Sequence, residues 1–150
     1  MVNSEIAKKY PKIYEGDFAI VHDLSSDYPG LAYGFWCGFF ALDNKSFIHD
    51  MNETSLKIVK EYGIKIFISD HSMLRVVTQD VLDWLSEHWY QNAFESGLRF
   101  ELSLNAKSTI ANMSLKKMLD NRHTKGVTTV EVPSIDDGIH LASEYLQSMQ

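Results

Sequence analysis

Apolar positions follow two rhythms along this chain, and the elements follow from them. Period-two alternation places Phe18, Ile20, His22 and Leu24 on one face and Ala19, Val21 and Asp23 on the other. Residues 12–15 and 18–24 therefore read as a strand pair, or as one strand broken at Gly16-Asp17. Residues 25–30 are dense in turn formers, so the next strand folds back as a hairpin. That strand, 31 to about 40, is apolar on both faces and belongs in the middle of a sheet, with Gly34 and Gly38 allowing close approach of a helix or neighbouring side chains.

Helical spacing follows. Asp43 or Asn44 caps a helix over about 44–62, with a stripe of Phe47, Met51, Ser55, Ile58 and Tyr62 widened by Ile48 and Val59, and Gly63 stops it. A short strand, 64–69, precedes a loop over 70–77. Thr78 caps a second helix, about 79–95, that buries Val81, Leu82, Leu85, Trp89 and Phe94 and ends at Gly97. The strand 99–104 sets Phe100, Leu102 and Leu104 against Glu101 and Ser103. Ser108 caps a third helix to about 121 with Ile110, Ala111, Met118 and Leu119 inward, and a strand over 127–132 follows Gly126. Ser134 with Asp137 forms a capping box for a last helix striped by Ile135, Ile139, Ala142, Leu146 and Met149. The order β-β-α-β-α-β-α-β-α predicts one α/β domain over 1–150, its core about 12–147. It has a single mixed sheet of about five strands, an antiparallel hairpin then parallel strands, with about four helices.

Composition narrows the function. Of 150 residues, 14 are Lys or Arg and 20 are Asp or Glu, a formal charge of −6. That balance disfavours nucleic acid, which needs clustered cations. Cys37 is the one cysteine, so no intramolecular disulfide and no thiolate-rich zinc site can form. The uncharged stretch 28–42 is shorter than the ~20 residues of a membrane span and holds glycines and a proline. The N-terminus lacks a basic region followed by an apolar one, so a cytoplasmic location is expected.

The element order, with Trp36-Cys37-Gly38-Phe39, Ile68-Ser69-Asp70, Trp84-Leu85-Ser86-Glu87-His88-Trp89, Ala93-Phe94-Glu95-Ser96-Gly97-Leu98 and Ala111-Asn112-Met113-Ser114-Leu115, resembles the STAS domain of anti-sigma-factor antagonists. It is closer still to small bacterial proteins described as SpoIIAA-like or STAS/CRAL-TRIO-like. The resemblance spans about residues 12–147 and implies a STAS-like fold more than a function, since most members lack an assigned activity. Antagonists carry an Asp-Ser-Ser-Gly-like segment with a phosphorylated serine after the third strand. The corresponding residues here are Ser69-Asp70-His71-Ser72-Met73, which leaves Ser72 as the equivalent without the glycine.

Parallel α/β sheets bind ligands beyond the carboxyl ends of their strands. Asp70, His71, Ser72, Asn105, Lys107 and Ser108 lie there, and with Arg75 they make a candidate anionic pocket; the alternative is a set of helix caps and turns. His71 beside Asp70 is a candidate general base with no nucleophile motif to serve. Asp80, Asp83 and Glu87 share a helix face and read as solvated. No histidine has metal-binding spacing, no phosphate loop or nucleophile elbow is present, and no metal or cofactor is expected. Trp84, Trp89 and Tyr90 are candidates for an exposed partner surface or an apolar groove.

Three functions stay open. The first is a non-enzymatic regulatory or interaction module acting on a protein partner or on itself as a homodimer. The second is a binder of an anionic, apolar or lipid-like small molecule, with a closed lipid cavity ranked lower because the chain is short. The third is an enzyme of unknown reaction at Asp70, His71 and Ser72.

Overall fold

The computed structural model describes residues 1–150. Its order is α1 (Ser4–Lys9), β1 (Lys12–Glu15), β2 (Ala19–Asp23), β3 (Leu31–Trp36), α2, β4 (Ile66–Asp70), α3, β5 (Phe100–Leu104), α4 (Thr109–Met118), β6 (Thr128–Val132) and α5 (Ile135–Ser148). Helix α2 runs without a break through α-helical Lys45–Asn52, π-helical Glu53–Ile58 and α-helical Val59–Glu61. Helix α3 is built alike, from Gln79–Trp84, π-helical Leu85–Tyr90 and Gln91–Ser96. No helix is long and apolar enough to cross a membrane.

The six strands form one mixed sheet in the order β1-β2-β3-β4-β5-β6. The first two pairings are antiparallel and the last three parallel. The α/β class and the hairpin-then-parallel layout match expectation. The structure adds a sixth strand, because residues 12–15 pair as a separate edge strand, and it adds α1, capped by Asn3 Oδ1 accepting from the Ile6 amide at 3.1 Å.

Strand order explains the layers. Crossovers between parallel strands are right-handed. A sheet that advances in one direction from β3 to β6 therefore stacks α2, α3 and α4 on the same face. That face holds the larger core, including Val21, Ala32, Trp36, Phe67, Phe47, Trp89 and Leu115. Only α1 and α5 cover the opposite face, over Tyr33, Phe35, Ile66, Ile68, Leu102 and Val132. Strand β3 is buried along its whole length, as its two-sided pattern requires.

It ends at Trp36, earlier than expected. Gly38 turns the chain at φ +85°, and Phe39 is exposed. Cys37 lies just past the strand, half-buried, and burial pushes its thiol pKa up, which suits an unreactive thiol. The hairpin of β1 and β2 is fastened to α2 through Asp50, whose carboxylate accepts from Tyr14 Oη at 2.5 Å and from the Phe18 amide at 2.8 Å. Gly16 is required there, since a Cβ would lie 2.2 Å from Asp50 Oδ1.

The caps at Asn44, Ser108 and Ser134 form as read, each side-chain oxygen accepting from an amide in the first turn. Thr78 does not cap α3; its hydroxyl donates to Asp80 instead. Tyr62, expected on the inner stripe of α2, is exposed. It is the C-terminal cap, one position past the last helical residue Glu61, while Val59 is buried as read.

Candidate functional site

Of the residues expected beyond the strand ends, Ser72 is bonded to both Asp70 and Lys107, whereas the His71 side chain points elsewhere. Period-two alternation carries Asp70 to the α1/α5 face, where Tyr33 Oη donates to its Oδ2 and the Ser72 amide donates to its Oδ1 at 3.0 Å. His71 turns to the other face and its Nδ1 pairs with Ser103 Oγ at 2.8 Å. Asp70 is therefore not the group that orients His71. Ser72 is half-buried. Arg75, Asn105, Lys107 and Ser108 are exposed, with Ser108 Oγ occupied in capping α4. A one-directional strand order also has no switch point, which is what opens a crevice at the carboxyl edge of doubly wound sheets. No group of three or more His, Cys, Asp or Glu side chains is placed to hold a metal.

Polar chemistry gathers instead inside the helical layer. Glu101 on β5 is 2% exposed and accepts from Ser69 Oγ of β4 at 2.6 Å and from Tyr90 Oη of α3. Trp89, the neighbour of Tyr90, donates from Nε1 to Thr54 Oγ1 of α2 at 3.1 Å. Thr54 and Trp89-Tyr90 lie on the two π-helical segments, so the polar layer and the departures from α-helix coincide. Such segments recur at functional sites. Here the second of them carries Trp89 and Tyr90, both buried.

Burial raises the Glu101 pKa, and the hydroxyls of Ser69 and Tyr90 only partly counter it. Burial pushes Tyr90 up as well. It lowers His71 to about 4, outweighing the opposing pull of Asp70, so the imidazole is neutral at pH 7. No cation pairs with Glu101. Replacing it with glutamine keeps an acceptor for Tyr90, lets Ser69 accept instead of donate, and removes the charge. Glu101→Gln is expected to be at least as stable as the parent at pH 8. That advantage should shrink as the pH falls and the native carboxyl takes up its proton. Urea denaturation at the two pH values checks this; a glutamine variant that is weaker at pH 8 and recovers in acid contradicts it.

A cavity of about 20 Å³ adjoins the network, lined by Trp36, Phe40, Met51, His71, Leu85, Trp89, Tyr90, Glu101 and Met118. That is room for about one water, far below the ~300–1,000 Å³ of ligand pockets. Trp36 Nε1 and Ser55 Oγ are buried without a protein partner. The network thus organises the interior and does not receive a metabolite in this conformation.

Trp89 and Tyr90, expected as candidates for a partner surface, are core residues at 4% and 2% exposure. Trp84 is half-buried, its ring stacked on His88 at 5.1 Å. The exposed apolar surface lies elsewhere. Ile110, expected on the inner face of α4, is 63% exposed, and Met113 one turn on is 60% exposed. Met73 and Val76 are exposed on the loop between β4 and α3. This loop is tied to the α4 region at two points: the Lys107 amide donates to the Ser72 carbonyl at 3.3 Å and the Val77 amide to Ser114 Oγ at 3.3 Å. The four apolar side chains therefore sit on two adjoining rails.

The chain segment that carries α4 is rich in cations. From residue 105 to residue 128 the chain carries Lys107, Lys116, Lys117, Arg122 and Lys125 against a single acid, Asp120, and Arg75 projects from the neighbouring loop. In a chain of net charge −6 this is a reversal of sign. Sequence reading missed the face because Ile110 fits the helical stripe; only the uncovered side of α4 reveals it. No protein-family model matches this chain, and no curated protein matches it.

Proposed function

We propose that the chain is a non-enzymatic interaction module that works through the outer face of α4 and the adjoining loop. The carrying observation is the pair Ile110 and Met113, large apolar side chains left in solvent on a helix whose inner face is fully used by the core. Exposed apolar side chains grouped on one face mark interaction sites more often than chance exposure does. The resemblance of the motifs to STAS-like domains, which act through protein contacts, supports the same reading. The interior supports it in a second way, because the space beside the Glu101 network is the size of a water.

Site-specific photo-crosslinking in cells tests it. A crosslinker at Met113 should give one discrete adduct, while the same group at His140, exposed on the opposite layer, should give none. The adduct should disappear when Ile110→Glu is added, with urea stability changed by no more than about 0.5 kcal/mol, as for surface substitutions generally. Equal labelling at both positions, or none at Met113, would sink the reading. A small molecule retained in native mass spectrometry of the purified chain would move the function to ligand binding.

A further inference from the structure

We propose that the occupant of this face is an acidic amphipathic helix of a partner protein, laid across the rails formed by Met73 and Val76 on one side and Ile110 and Met113 on the other. The inference rests on the interaction-module reading and names the partner's chemistry. Three observations lead to it.

The first is shape and chemistry. Ile110 and Met113 are one turn apart on α4, and the loop bearing Met73 and Val76 is held against the same helix by the bonds from the Lys107 and Val77 amides. Helices docked in this manner insert side chains spaced at i, i+3 or i+4, and i+7. Methionines suit such a surface because the unbranched thioether repacks around different side chains.

The second is charge. Lys107, Lys116 and Lys117 are exposed on α4 or just before it, and exposed Arg75 stands between Met73 and Val76 in sequence, whereas the chain as a whole is acidic; of these cations only Lys117 shares a groove with Asp83 and Glu87 of α3. The complementary partner carries Glu and Asp beside its apolar stripe, and attraction between the two sets orients the encounter. A second copy of this chain fits less well. The acidic helix it would offer, α3 with Asp80, Asp83 and Glu87, exposes no large apolar side chain.

The third is what the strip lacks. It holds no exposed aromatic ring, the group on which unpaired bases stack. It also has no Trp, Phe or Leu to anchor in a lipid interface, and the inner apolar face of α4 is committed to the core, so a membrane would gain only four side chains.

The test uses the full chain and a labelled 18-residue peptide with Leu at helical i, i+3, i+4 and i+7 spacing and Glu elsewhere. The expected result is saturable binding by fluorescence anisotropy, weakened about tenfold between 50 and 500 mM salt. It should be lost in Ile110→Glu with Met113→Glu, and weakened about tenfold or more in Lys116→Glu with Lys117→Glu. A peptide of the same composition with scrambled spacing should not bind. Vesicles of phosphatidylcholine with phosphatidylserine are titrated in parallel. Binding to vesicles but not to the peptide overturns the inference in favour of a membrane. A stable dimer that dissociates in Ile110→Glu overturns it in favour of self-association. Failure of both probes, with the Met113 crosslink still present in cells, overturns the acidic helix while leaving the interaction module standing. Failure of the crosslink removes both.

Discussion

Trp89→Ala is expected to lower the unfolding free energy by about 4 kcal/mol, in the middle of the range for truncating a buried tryptophan. Its indole packs against Trp36 at 5.7 Å, Phe67 at 6.2 Å and Tyr90 at 4.9 Å between ring centroids. It also joins the two long helices by donating to Thr54. Alanine leaves a space beside a cavity that already exists, on a layer whose side chains are fixed by both π-helical segments. Domains of this size are stable by about 5–15 kcal/mol in total, so the loss would be a large fraction. Trp89→Phe separates the contributions. It keeps most of the ring packing and removes the donor, and Thr54 Oγ1 still bonds the Asp50 carbonyl at 2.9 Å. Its cost should be near 1 kcal/mol, that of one neutral hydrogen bond. Urea denaturation of both variants is the measurement. An alanine variant losing less than 1 kcal/mol would show that α2 and α3 are not joined through this residue.

The second large effect is a loss of stability in mild acid that originates at His71. The folded imidazole has a pKa of about 4 because it is buried. An unfolded histidine titrates near 6.5, so between these values the unfolded chain holds a proton that the folded chain refuses. The stabilisation is complete above pH ~6.5, falls by about 2 kcal/mol at pH 5 and by about 3 kcal/mol near pH 4. Glu101 has the opposite sign, since its raised pKa lets the folded state take up a proton first and so offsets part of the loss. The difference between parent and His71→Gln isolates the histidine. The variant should show a visibly shallower fall in urea midpoint from pH 7.5 to pH 5. Parallel curves would mean that His71 is protonated in the folded protein.

Much of the architecture was legible in the residue pattern. Periods of two and 3.6 located the strands and helices, because each rhythm reflects which backbone face is turned inward. Asn44, Ser108 and Ser134 marked helix starts because a cap acts within one turn, so its partners lie in the adjacent sequence. The two-sided apolar run from Leu31 identified the inner strand β3, since only a strand between two layers has no face to give to water.

The site was not legible in the same way, and particular residues show why. Alternation separated Glu101 and Ser103 from Phe100 and Leu102, yet both sides of β5 are covered. Whether a polar face is exposed depends on what the chain stacks over it, here α3 and its π-turn. Asp70 and His71 are neighbours in sequence but are sent to opposite layers by the pleat, which undoes their reading as a pair. Ile110 satisfies the helical stripe of α4, and only the absence of a packing layer over that side leaves it in solvent.

By itself, then, the sequence determined where most elements begin, which face of most of them is apolar, and that a hairpin leads into parallel strands. These depend on interactions within a few residues. The tertiary structure alone decided the one-directional strand order, the burial of Glu101 beside Tyr90, the neutral state of His71 and the uncovered rail of α4. Each of those depends on which distant segment covers which face, and coverage is a property of the assembled layers.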